Sequence, residues 1–419
     1  MPGPDRSVSY GALLRTPGVA RPLTATTFVR LSYGAVGLAL LLVVERATGS
    51  FAPAGMALGA FGAATILGPL KARAIDAVGR RRVLGLLGPA YAAVLLALAG
   101  AAAAGVRSPA VFVGLAAVAG LLTPLVGPVM RGVWAAVTPD PVVRRRAYSL
   151  DAVAEETCYA GGPVLAGVLV ALGGPLTALV VTAVLALAGS LVLAFSTVGS
   201  AVTGMPAAPP SVRRDSPGPL ASRELRWVLL LVAVLWVGLS PLEVAVAARA
   251  TEAGTPAAAG WLLAALSVGS AVGGLLWGRS RRIGGRDGGH RGQLLGLTAA
   301  LAVGMMAAAA APTLGLLALV LLVTGLAVAP TFVVAYLAAD RLTVVARRTE
   351  ASTWVGTASN LGGSLGAVLA GLVVERASPG AALLTGGLVL VLALALLVVV
   401  VPVVRATRSA RPGLRSPAP

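Results

Sequence analysis

Apolar runs of about twenty residues recur along this chain from end to end, and that recurrence limits the fold more than any other feature. At 1.5 Å of rise per residue, roughly 20 residues of helix cross the hydrocarbon of a bilayer. Six runs fall in the first half: Thr24–Val44, Ala54–Leu70, Val83–Ala104, Ala110–Val137, Tyr148–Leu172 and Leu176–Val198. Six fall in the second: Trp227–Ala248, Ala257–Gly278, Leu294–Ala311, Thr313–Ala339, Ala351–Val374 and Ala381–Val401. Backbone polar groups in lipid must be satisfied within the segment, so such runs are helices. The expected fold is an all-α polytopic membrane protein of twelve spans. Composition agrees: 57% of the 419 residues are hydrophobic and 11% charged, whereas soluble domains carry about 25% charged residues. Ala, Gly, Val and Leu dominate, which suits helices packed through small side chains.

A formal charge of +18 would in a soluble protein suggest nucleic acid, but the positions of the charges point elsewhere. With the N-terminus placed inside, 27 of the 33 Lys and Arg residues fall in cytoplasmic segments. Outer loops carry only Arg46, Arg107, Arg249 and Arg376. This is the positive-inside pattern, so the charge is topological and no nucleic-acid partner is expected. The expected location is the cell (cytoplasmic) membrane, with both termini cytoplasmic. The first apolar run ends in Glu45-Arg46 and not in a small-residue cleavage site, so it reads as a retained span. One cysteine, Cys158, and one histidine, His290, leave no basis for a metal site, a cofactor or a Cys/His nucleophile, and no enzyme activity is expected.

The expected organisation is a cytoplasmic tail (1–23), a six-helix bundle (24–198), a cytoplasmic linker (199–226), a second six-helix bundle (227–402) and a basic tail (403–419). The linker is rich in Pro, Ser and charge (PAAPPSVRRDSPGP). The two bundles look like a duplication. Arg46-Ala47-Thr48 with Pro53 matches Arg249-Ala250-Thr251 with Pro256, and Gly68-Pro69-Leu70 matches Gly273-Gly274-Leu275. Pro128 matches Pro330, and Ala166-Gly167 with Pro175 matches Ala370-Gly371 with Pro379. The shifts are 203, 205, 202 and 204. Pseudo-symmetric halves with a site between them are a transporter layout.

The loop between spans two and three reads Asp76-Ala77-Val78-Gly79-Arg80-Arg81-Arg82. It resembles the G-x-L-a-D-r-x-G-r-[rk] signature of the major facilitator superfamily, with Ala72, Ala74 and Ala77 replacing the Gly, the Leu and the first Arg. The resemblance implies a cytoplasmic gate made by Asp76, Gly79, Arg80 and Arg81; otherwise the loop simply sets topology. In span five, Gly161-Gly162-Pro163 with Gly167 is similar to part of the G-P-x-x-G-G element of the family's exporters. Proline kinks a helix and glycine admits a neighbour, so Gly162, Pro163 and Gly167 are kink or packing residues.

Ionisable residues within spans face a bundle interior, pair, or mark a pathway. Asp151 and Glu155 are four apart on one face of span five, with Glu156 about 100° round. A proton taken by one of two like charges relieves their repulsion. Arg131 in span four and Arg30 in span one lie at a similar depth, so either could pair with Asp151 or Glu155 and release it on protonation. Glu243, following Pro241 in span seven, is a second proton or cation contact or else an interfacial group near Arg249. Asn360 in span eleven lines a cavity or binds a neighbouring helix. No phosphate-cradling G-x-x-x-x-G-K-[ST] loop occurs. The expected function is therefore secondary active transport: proton-coupled efflux of a small organic molecule by alternating access. Import of a metabolite and a transport-inactive receptor or scaffold are the alternatives.

Overall fold

The computed structural model describes residues 13–67, 71, 78–138, 140–196, 221–279, 289–342 and 348–409. Thirteen α-helices cover most of them. Those of the first half are α1 (Ala20–Thr48), α2 (Phe51–Ala64), α3 (Arg80–Ala103), α4 (Pro109–Leu122), α5 (Val126–Val137) and α6 (Pro141–Ala194). Those of the second are α7 (Arg223–Leu239), α8 (Pro241–Glu252), α9 (Ala258–Arg279), α10 (Gly289–Ala310), α11 (Leu314–Arg341), α12 (Arg348–Arg376) and α13 (Pro379–Ser409).

The described parts of all twelve apolar runs are mostly helical, but helix ends and run ends do not coincide one for one. Among the described residues nine helices are long and apolar enough to cross a membrane, and Phe51–Ala64 and Pro109–Leu122 are shorter apolar ones. Among the described residues spans two and four lack a single helix of that length and spans five and six count as one, which accounts for the difference from twelve. Spans five and six share α6, whose backbone leaves the helical region at Gly174 (φ 81°, ψ 177°) ahead of Pro175. Span four, expected as one helix, is instead two: α4 and α5, separated by Thr123, Pro124 and Leu125. Span seven is divided between α7 and α8 at Ser240-Pro241, although Arg223–Glu252 still counts as one of the nine. Each interruption coincides with a proline, which lacks the N–H that would continue the ladder.

Local chemistry fixes other ends. Gly49 closes α1 in the left-handed region (φ 74°), and its N–H donates to the Glu45 carbonyl at 2.7 Å. Ser222 caps α7, its hydroxyl oxygen accepting from the Leu225 N–H at 3.2 Å.

The chain forms two compact units, residues 1–209 with 246–264 and residues 210–245 with 265–419. In the first, α1 packs most extensively against α6, α3 also packs on α6, and α2 packs on α4. In the second, α7 packs against α12 and α10 against α13. The pairing of spans one with five and three with six thus repeats as seven with eleven and nine with twelve. This is the pseudo-symmetry that the sequence matches imply.

Candidate functional site

The contact between α1 and α6 is built on one face of each helix. On α1 that face carries Thr27, Arg30 and Gly34, at three- and four-residue steps; on α6 it carries Asp151, Glu155, Cys158 and Gly162. Neither glycine has room for a side chain. A Cβ on Gly34 would sit 2.7 Å from the Cys158 carbonyl oxygen and 3.0 Å from the Gly162 Cα, and a Cβ on Gly162 would overlap the Gly34 backbone. The helices therefore touch backbone to backbone at this crossing.

One turn along α1, this closeness lets Arg30 reach the neighbouring helix. Its Nη1 donates to Asp151 Oδ1 at 2.8 Å and its Nη2 to Asp151 Oδ2 at 2.9 Å, a bidentate fork. Nη2 also donates to Glu155 Oε2 at 3.0 Å, and Nη1 lies 3.4 Å from the Asp151 carbonyl oxygen. Side-chain exposure is 1% for Arg30, 4% for Asp151 and 32% for Glu155. One guanidinium thus serves two carboxylates, of which Asp151 is sealed and Glu155 is open on one side.

The second half shows that the fold does not need these charges. The shifts of 203 and 204 that relate the halves carry Gly34 to Val237 and Gly162 to Gly366. A Cβ on Gly366 would lie 2.6 Å from the Val237 carbonyl oxygen, so the close crossing recurs. The same shifts carry Arg30, Asp151 and Glu155 to Ala233, Val355 and Ser359. Val355 is fully buried in an apolar cluster with Leu225, Leu229, Val232 and Ala335. At these positions the equivalent helices therefore pack an apolar cluster in one half and an ion pair in the other.

The remaining candidates are placed as follows. Arg131 lies on α5 and Glu156 on α6, but their side chains fall outside the described residues, as does all of Asp76. Gly79 precedes α3 at φ 93°, ψ 145°. Arg80 donates from Nη2 to the Ser196 carbonyl, and the Arg81 guanidinium lies 5.0 Å from the centre of the Phe195 ring, so both arginines hold the end of α6. Pro163 sits within α6, and Gly167 packs on Gly260 in the part of α9 that belongs to the first unit. Glu243 is half-buried in the first turn of α8, among the residues of the second unit. Asn360 is exposed in mid-α12, its carbonyl accepting from the Ser364 hydroxyl at 2.7 Å.

Two polar residues of the first unit have roles that the sequence reading does not include. The Tyr33 hydroxyl donates to the Pro124 carbonyl, and Lys71 Nζ donates to the Thr123 carbonyl at 2.9 Å. Both act on the break between α4 and α5. The available signals are a pair of prolines four residues apart, Pro124 and Pro128, and the chain's only lysine.

Residues 228–418 match the family model described as Major Facilitator Superfamily. Among solved structures, a mutant of the nucleoside transporter NupG is 14% identical with a TM-score of 0.69, covering 90% of this chain and 99% of that one. A bacterial homologue of the iron transporter ferroportin is 18% identical (TM-score 0.68; 92% and 98% covered). A POT family transporter in complex with a thioalcohol-conjugated peptide is 10% identical (TM-score 0.67; 92% and 96% covered). No curated protein matches the sequence. The chain thus shares the fold of these solved structures over most of its length, and its second half matches the Major Facilitator Superfamily model by sequence.

Proposed function

We propose that this protein is a secondary active transporter that exports a small organic molecule in exchange for protons, and that the Arg30–Asp151–Glu155 cluster carries the proton. The observation that supports this most is an inequality of charge among the described residues of the α1–α6 contact: one guanidinium against two carboxylates, where the sister half has an apolar core. An uncompensated charge in a low-dielectric interior is costly, and a proton on one carboxylate cancels the excess. Glu155 takes it. Its side chain is the open one, and it holds Arg30 by one hydrogen bond whereas Asp151 holds it by a fork. Protonation loosens the tie between α1 and α6 at Glu155 and leaves Asp151 to keep Arg30 in place.

In this reading the two halves rock to alternate access, with residues 24–198 and 227–402 as the moving bundles and 199–226 joining them on the cytoplasmic side. Export is supported by the likeness of Gly161-Gly162-Pro163 and Gly167 to the exporter element. Glu243 and Asn360 are candidate substrate or second-proton contacts in the C-terminal half. NupG is a nucleoside transporter, and the ferroportin homologue is related to an iron transporter. Such different cargoes on one fold leave the substrate class to be found by screening.

The test is uptake of a panel of fluorescent dyes into everted vesicles carrying the protein, with and without an imposed pH gradient. A dye that accumulates only with the gradient, and only in vesicles containing the protein, supports the reading. Accumulation equal with and without the gradient contradicts it.

A further inference from the structure

The break in span four follows from two prolines at one helical repeat. In a continuous helix the Gly120 carbonyl would accept from residue 124 and the Pro124 carbonyl from residue 128, but both are prolines without an N–H. Thr123 is pushed to an extended conformation (φ −49°, ψ 120°), as the residue before a proline is. The helix stops at Leu122 and restarts at Val126, which also leaves the Thr123 carbonyl without a helical donor.

Two carbonyl oxygens, those of Thr123 and Pro124, are thus released beside that of Gly120, which accepts from the Thr123 N–H at 3.4 Å, and two side chains from elsewhere in the chain turn towards them. Tyr33 donates to Pro124 from α1. Lys71 Nζ lies 2.9 Å from the Thr123 oxygen and 3.4 Å from the Gly120 oxygen. An ammonium is a compact point charge with three donors, which suits a cluster of carbonyls better than a planar guanidinium does. In a sequence with 33 Lys and Arg residues, the single lysine stands here.

The sister half lacks the whole arrangement. The shifts that relate the halves carry Tyr33 to Trp236, Lys71 to Leu276 and Pro124 to Leu326. Pro330 repeats Pro128, but with no second proline α11 runs unbroken from Leu314 to Arg341. The break, its lysine and its tyrosine are therefore additions to the fold and not requirements of it.

We infer that the break in span four is a monovalent-cation site that the protein fills with its own Lys71 ammonium, and that a free alkali cation takes the lysine's place when the charge is removed. Unwound carbonyls and half-helix C-terminal ends coordinate cations in discontinuous helices of other transporter folds, and α4 ends here with its negative dipole end towards the ammonium. A tethered charge makes the segment between α4 and α5 independent of the salt around it. The inference does not depend on proton transport by the Arg30 cluster, because its readout is stability and not flux.

The experiment is thermal unfolding of purified wild type and Lys71→Ala, extracted in NaCl and exchanged into NaCl, KCl or choline chloride at equal ionic strength. The wild-type midpoint is expected to be the same in all three. The variant should melt about 2–4 °C higher in NaCl or KCl than in choline chloride, with a saturable dependence on concentration. Lys71→Ala that folds only when Na⁺ or K⁺ is present during extraction supports the inference equally. Lys71→Gln, which keeps a hydrogen-bond donor without the charge, is the second variant. If Lys71→Ala melts alike in every salt, or fails to fold in all of them while Lys71→Gln folds without regard to the cation, the inference is overturned.

Discussion

Arg30 and Asp151 meet through two parallel N–H···O bonds of 2.8 and 2.9 Å between α1 and α6, one turn from a crossing where Gly34 and Gly162 touch backbone to backbone. The two features depend on each other. The glycines bring the helices close enough for a guanidinium to span the gap, and the pair is then sealed by the packing it accompanies.

Removing Arg30 strands a carboxylate that is 4% exposed. Arg30→Met should lower stability by about 3–5 kcal/mol, the range for breaking one side of a buried pair. Arg30→Lys keeps the charge but loses the fork, and should fall between wild type and Arg30→Met. Thermal unfolding of detergent-purified protein measures both, and equal midpoints for all three would contradict a structural role for the fork.

The two carboxylates should differ. Asp151→Asn weakens the fork in the sealed part of the cluster and should cost both stability and transport. Glu155→Gln touches the open side and should change stability little while removing the proton-dependent part of transport. Unfolding midpoints beside initial rates at two pH values separate them; identical behaviour of the variants would show that the roles are not divided as described.

The glycine crossing makes a prediction with a control beside it. A Cβ at residue 162 overlaps the Gly34 backbone, whereas one at residue 161 meets only Leu31 Cδ2 at 3.9 Å. Gly162→Ala should destabilise by about 1–3 kcal/mol through overpacking, and Gly162→Val by more. Gly161→Ala should be tolerated. Unfolding midpoints, or yield of monodisperse protein on size exclusion, report the difference.

Gly79 and Gly85 supply a pair with opposite signs. Nothing lies within 4 Å of a Cβ at either, so space decides nothing. Gly79 has φ +93°, a region that L-residues rarely adopt, and Gly79→Ala should cost about 1–3 kcal/mol of backbone strain. Gly85 lies within α3, and Gly85→Ala should stabilise by up to about 1 kcal/mol. The unfolding midpoints should move in opposite directions.

Much of this was legible in the sequence because lipid allows few solutions. Length and hydropathy locate the helices, and the shifts near 203 correctly bring Gly162 and Gly366 to matching crossings. Depth along a span narrowed the partners of Asp151 and Glu155 to Arg30 or Arg131. It could not choose between them, because depth says nothing of the direction in which a side chain points; the α1–α6 crossing places Arg30 on both carboxylates. The break in span four was missed for a related reason. Hydropathy sums over Ala110–Val137 and is blind to Pro124 and Pro128 removing two donors one helical repeat apart. Lys71 was absorbed into the topological charge, since its use depends on carbonyls that only the break exposes.

The most direct test of the central claim compares wild type and Glu155→Gln in proteoliposomes, with a substrate found by the dye panel. The account predicts that the variant exchanges labelled for unlabelled substrate at a rate close to wild type but no longer accumulates it against a gradient when a pH difference is imposed. Accumulation at the wild-type level by the variant would contradict it.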